Sequence, residues 1–150
     1  MRLALDSNVL IYAEGGNDAG RRLIAHRIVG GVLPSQILVP VQAAAETYRW
    51  LVHKGGLDRA QASIQITWWL EKFASQDTTR HIFSDAIELA TTHRMQIFDA
   101  IILSAASAGG ASVLLSEDMQ DGFRWRGVTV ANPFAAEPSP LIRKILNAKE

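Results

Sequence analysis

Apolar residues fall along this chain in two kinds of run. Short continuous ones lie at 2–5, 37–39, 113–115 and 128–130, with a weaker one at 79–83. Bounded by turn residues, they predict strands buried on both faces. Longer periodic ones, at 17–29, 41–54, 58–74 and 84–94, predict helices. Residues 98–108 are apolar on nearly every side, as expected of a helix inside the fold, and Gly109-Gly110 ends it. Gly55-Gly56 separates two helices, so 41–74 reads as an αα-hairpin. Strands alternating with helices predict an α/β fold, a parallel sheet covered on both faces. Residues 1–132 are expected to form one domain, and 133–150 a C-terminal tail with a short helix at 141–148.

A chain of 150 residues fits that single domain, burying roughly 70% of the surface its unfolded chain exposes. It contains no cysteine, which excludes disulfides and thiolate zinc sites and fits a reducing compartment. The start reaches Asp6 too soon for a secretory apolar region. The longest apolar run, 100–111, is broken by Ser104, Ser107 and two glycines, well short of a membrane span. A cytoplasmic location is expected. Fifteen basic and fifteen acidic residues balance to zero net charge, so nucleic-acid binding would need a local patch or bound cations.

Four carboxylates change this picture. Asp6 sits where the first strand ends, and Asp118 follows the run 113–115; ligands of open parallel sheets bind beyond such strand ends. Asx-turn or N-cap chemistry for Asp6, and a polar loop for Asp118, are the structural alternatives. Glu117 beside it reads as solvated. Asp99 lies in the first turn of the most apolar helix, where an ionised group is expensive unless capped, paired or bound to metal. Glu46 falls off the stripe Val41, Ala44, Ala45, Tyr48 and Val52, on a face that is either solvated or the border of a cleft. In the second case Arg49 and Trp50 could touch a phosphate and a base. Gathered at ~5 Å in an effective dielectric of about 20, each pair of acids would cost on the order of 3 kcal/mol. Such a cluster makes sense mainly as a cation site, and all-oxygen ligands favour Mg²⁺ or Mn²⁺ over zinc.

These residues fall in four segments: Leu5-Asp6-Ser7-Asn8-Val9-Leu10, Ala45-Glu46, Phe98-Asp99-Ala100-Ile101-Ile102-Leu103-Ser104-Ala105-Ala106 and Leu114-Leu115-Ser116-Glu117-Asp118-Met119-Gln120-Asp121-Gly122. In order and spacing they resemble the signature of the PIN-domain family over roughly residues 1–132, most closely its VapC-type toxins. The resemblance implies an α/β/α sandwich on a five-stranded parallel sheet of order 3-2-1-4-5, with Asp6 and Asp118 side by side. It implies a catalytic quartet of Asp6, Glu46, Asp99 and Asp118, with Asp6, Asp99 and Asp118 as metal ligands. Ser116, Asn8 and Asp121 are candidate additional site residues, and Ser7 stands where threonine is frequent. The implied activity is Mg²⁺- or Mn²⁺-dependent hydrolysis of RNA phosphodiesters, with a homodimer and a neutralising antitoxin as partners.

The hairpin carries Trp50, Trp68, Trp69, Ile64, Ile66, Leu70 and Phe73, which either present a groove to such a partner or pack the core. Arg21, Arg22, Arg27, Arg49 and Lys54 are candidates for a phosphate-facing patch. His26, His53, His81 and His93 are scattered and read as structural or surface residues. The competing readings are a catalytically inactive PIN-fold binding module and a phospho-receiver-like domain. The latter needs paired acids after strand 1 and a lysine before the late proline, where Asn132 stands. A haloacid-dehalogenase-type phosphatase is disfavoured because Asp6-Ser7-Asn8 lacks a second Asp.

Overall fold

Strand β1 (Leu3–Leu5) lies at the centre of a six-stranded sheet, and all three of its residues are buried. The computed structural model describes residues 1–148; the last two of the predicted tail 133–150 lie outside the described residues. β2 (Ile37–Pro40) and β4 (Val113–Leu115) flank β1 in parallel, β3 (Ala74–Gln76) lies outside β2, and β6 (Val128–Ala131) runs parallel to β4. The parallel five therefore have the expected order. The sixth strand, β5 (Arg124–Trp125), pairs antiparallel with β6. At two residues it is too short to register as an apolar run.

Helices α1 (Ser7–Ala13) and α2 (Ala19–Gly31) connect β1 to β2, and α3 (Val41–His53) and α4 (Arg59–Lys72) connect β2 to β3. The return from β3 to β4 is made by α5 (Arg80–His93) and α6 (Ile97–Ala108), which pack together. Right-handed crossovers put the first four helices on one face of the sheet and these two on the other. Around the switch between β1 and β4, α3 and α6 also meet. The final helix, α7 (Pro140–Leu146), lies against α2 with Ile142 and Ile145 buried in the common core. Among the described residues no helix is long and apolar enough to cross a membrane.

Two local expectations need correction, and one helix carries no expectation at all. Residues 79–83 are not a strand: Thr79 Oγ1 accepts the backbone N–H of Ile82, capping α5, and Ile82, Ala86 and Leu89 are its buried stripe. The strand is the preceding Ala74-Ser75-Gln76, whose edge position leaves it half-exposed and without an apolar signal. In α3 the buried residues are Ala43, Ala44, Thr47 and Leu51, while Ala45 is exposed. That rotation turns Glu46 to the edge of the buried face. Finally, α1 is only seven residues long, less than the window in which helical periodicity shows.

Candidate active site

Asp6 follows β1 directly and is 2% exposed. It is also the N-cap of α1: Ser7 N donates to its Oδ1 at 2.7 Å. Capping uses only one carboxylate oxygen and leaves the second free to point elsewhere. Oδ2 accepts the Ser116 hydroxyl at 2.6 Å and the Asn8 amide at 3.4 Å. Ser116, fully buried just beyond β4, in turn accepts the backbone N–H of Met119 at 3.3 Å.

Asn8 joins the two strand ends. Its Nδ2 also donates to Asp118 Oδ2 at 3.3 Å, and its Oδ1 accepts the backbone N–H of Glu117 at 3.2 Å. Asp6 and Asp118 therefore stand side by side, as the parallel pairing of β1 with β4 requires. Glu117 is not the solvated residue expected. Arg21 Nε donates to its Oε2 at 2.7 Å and Tyr12 OH to its Oε1 at 3.3 Å. The Arg21 guanidinium also lies 5.8 Å from the centre of the Tyr12 ring. This clamp ties the loop that carries Asp118 to α1 and α2. A lone Glu in a polar run offers no sequence signal for it.

Asp99 does not cap its helix. Gln96 Oε1 accepts the Asp99 N–H at 3.0 Å and serves as the cap, leaving the Asp99 carboxylate free of that duty. Glu46 approaches from α3, and its Oε2 is buried without a hydrogen-bond partner. The four acids are close enough to act on one another electrostatically. Burial, first, pushes Glu46 up to about 7, and the charges of Asp6, Asp99 and Asp118 push the same way. Asp99 rises to about 6 by burial and then by Asp6 and Asp118. Burial also raises the Asp6 carboxyl, against the lowering effect of its Ser116 and Ser7 hydrogen bonds. No basic side chain is among the charges acting on Glu46 or Asp99.

The donor set is all oxygen, anionic, and contains one orphaned buried carboxylate atom, which fits a hard divalent cation. Among the described residues, however, no group of three or more His, Asp or Glu side chains is arranged to hold an ion. The acids share one electrostatic neighbourhood, while like-charge repulsion favours keeping them apart.

Asp121 lies outside the cluster's interactions, its Oδ1 accepting the backbone N–H of Asn132 at 3.0 Å. Of the expected basic patch, Arg21 is paired with Asp18 and Glu117, and Arg27 donates to Leu146 O. Arg49 and Lys54 line a cavity of about 370 Å³ between α1 and α3, together with Ser7, Ile11, Glu46, Trp50 and His53. Trp50 thus shares a cavity with Glu46 and does not belong to the hairpin's other face. There Trp69 and Phe73 are buried, while Ile64 and Trp68 line a separate groove of about 470 Å³ against α2, at the far end of α1. His53, expected to be a structural or surface residue, lines this cavity, and 46, 49, 50 and 53 share one helical face.

A doubly wound α/β domain with an acidic quartet beyond its central strand ends defines a class of fold and site. The chain belongs to the PIN domain family, whose model matches residues 3–123. Its fold is that of VapC-type toxins. It is similar to VapC20 of Mycobacterium tuberculosis, a sarcin–ricin-loop-cleaving toxin, with a TM-score of 0.66 at 16% identity over 77% of this chain and 89% of that one. A toxin–antitoxin complex from Klebsiella pneumoniae matches with a TM-score of 0.64 at 19% identity, over 86% and 96%. VapBC2 of Rickettsia felis, bound to a promoter DNA fragment, matches at 0.62 with 17% identity, over 88% and 98%. No curated protein matches the chain.

Proposed function

We infer that this protein is a divalent-metal-dependent endoribonuclease and the toxin of a toxin–antitoxin pair, with Mg²⁺ or Mn²⁺ as cofactor and RNA as substrate. The observation that carries this reading is the meeting of Asp6, Glu46, Asp99 and Asp118 in one partly buried neighbourhood with no basic side chain acting on Glu46 or Asp99. Membership of the PIN domain family and the shared fold support the nuclease class. An antitoxin partner is supported by neighbours that are toxin–antitoxin complexes and by the Ile64 and Trp68 groove. Exposed Phe83, Ile87 and Phe98 support a homodimer face. Residues 1–132 would carry the nuclease unit, acting in the cytoplasm.

Asp6, Asp99 and Asp118 would hold the ion. When bound, it would supply Lewis acidity toward the phosphate and favour deprotonation of water. Asp6 is kept in place by the Ser7 N–H, the Ser116 hydroxyl and the Asn8 amide, so its oxygens are oriented before substrate arrives. Glu46, beside the three aspartates, is the carboxylate placed to take a proton from the attacking water. Asn8, neutral between Asp6 and Asp118, holds those two carboxylates without adding charge.

Purified protein should cleave single-stranded RNA with Mg²⁺ or Mn²⁺ and stop on chelation. Asp99→Asn and Asp6→Asn should abolish cleavage with an unchanged circular dichroism spectrum, and Glu46→Gln should lower the rate by roughly 10²–10⁴. Cleavage that ignores chelators, or an active Asp99→Asn variant, would refute this assignment.

A further inference from the structure

Resting on the ribonuclease reading, we propose that the cavity between α1 and α3 is a nucleotide subsite, in which Trp50 stacks a single-stranded base and Arg49, His53 and Lys54 receive its flanking phosphates. The cavity adjoins the acidic cluster through Glu46, which forms one of its walls. Its volume of about 370 Å³ falls in the range of small-molecule sites, roughly 300–1,000 Å³. Arg49, Trp50 and His53 follow Glu46 at spacings of three, four and seven residues, and so line one helical face pointing away from the acids along α3. Lys54 is the helix C-cap.

Charge along this face changes sign. Glu46 belongs to the anionic cluster, whereas the next two turns of this face carry Arg49, Lys54, an imidazole and an indole. Among the described residues, Arg49, His53 and Lys54 form no ion pair, while Arg21 and Arg126 are both taken up by acids. Basic groups in a last turn do complement the helix dipole, but Arg49 stands a turn earlier and faces the same cavity. In a chain of zero net charge, such an unpaired local cluster supplies the attraction for phosphate that overall composition lacks.

The indole is held for stacking. Gly55 turns the chain back so closely that a Cβ there would lie 2.9 Å from Leu51 Cα and 3.0 Å from Trp50 Cζ3. A side chain at position 55 would push the ring or the backbone aside. A half-exposed indole between cations is the combination that binds single strands, since every base offers a π-face and every phosphate a charge. A duplex hides its base faces and cannot use the indole.

The test is binding of a short fluorescent single-stranded uridine oligoribonucleotide to the full chain in EDTA, where cleavage is silent, as a function of salt. Trp50→Ala should weaken binding by about 5- to 150-fold with the salt slope unchanged. Arg49→Ala and Lys54→Ala should each reduce the log–log salt slope by about 0.7, and Trp50→Phe should keep part of the affinity. With Mg²⁺ these variants should raise KM more than they lower kcat. Should Trp50→Ala fail to fold, the exposed Arg49 and Lys54 variants still decide the matter through the slope.

Unchanged affinity and slope in all variants overturn the subsite, even if the wild type cuts RNA. Equal losses on single strands and on a duplex of the same length also overturn it. So do variants that spare the oligonucleotide and instead lose a protein partner. Oligonucleotide binding that responds as expected, in a wild type that cleaves nothing with any divalent metal, supports the subsite and sinks the ribonuclease reading alone.

Discussion

Glu46 keeps one carboxylate oxygen buried with no donor, and with Asp6 and Asp99 it makes three acids whose protonated forms are favoured by folding. The linkage has a definite sign. Between the ordinary value of 4.5 and about 7, folded Glu46 holds more protons than unfolded Glu46, so this contribution to stability falls as pH rises through that window. Asp99 adds the same trend between 3.8 and about 6. Metal-free protein should therefore lose melting temperature between these limits beyond what the other residues explain. Glu46→Gln should be more stable than wild type at about pH 8, where removing ~1 kcal/mol of repulsion raises the melting temperature by about 2–4 °C. The difference should vanish near pH 4.5. Thermal denaturation in EDTA across that range checks both statements, and a Gln variant less stable at every pH would contradict them.

At the scale of elements, α6 sets the site, because its seven consecutive buried residues from Ala100 to Ala106 fix where Asp99 must lie. Its far end is equally constrained. Gly109, the C-cap, is pressed on β2 so tightly that a Cβ would overlap Leu38 Cδ2 and lie 3.2 Å from Ala105 O. Leu38 is itself 1% exposed and has little room to yield. Gly109→Ala should cost about 1–3 kcal/mol by overpacking. In a Leu38→Ala background the same change should cost less, a coupling of about 0.5–3 kcal/mol measurable by denaturant titration of the four proteins. Additive losses would place the strain elsewhere.

For the whole molecule, the cluster makes stability a function of divalent ions. A cation that binds the native site and not the unfolded chain should stabilise by about 2.7 kcal/mol at a hundredfold excess over its Kd. Mg²⁺ or Mn²⁺ should therefore raise the melting temperature of the wild type in a concentration-dependent way, and leave the Asp6→Asn, Asp99→Asn double variant unmoved. A wild type blind to both metals would count against the cation site. The opposed packing of α1–α4 and α5–α6 on the sheet makes this a property of the assembled fold.

The order of strands and helices was legible from the apolar runs, because strands buried on both faces and an all-apolar α6 leave strong one-dimensional patterns. Asp6 and Asp99 could be singled out for the same reason, as charges set against such runs. Short or edge elements were not legible: β3, β5 and α1 bury too little, over too few residues, to write a periodicity. Nor could pattern alone orient α3, since its buried Thr47 and exposed Ala45 invert the usual polarity by one position. Sequence by itself determined which residues are acidic, which segments must be buried and hence the doubly wound class. Tertiary structure alone decided that Glu46 faces the other acids, that Glu117 is bound by Arg21, and that Trp50 and His53 share one cavity. The reason is that these relations depend on the rotation of helices about their axes and on contacts between residues far apart in the chain, such as that of Asn8 with Asp118, 110 positions away, which no local pattern encodes.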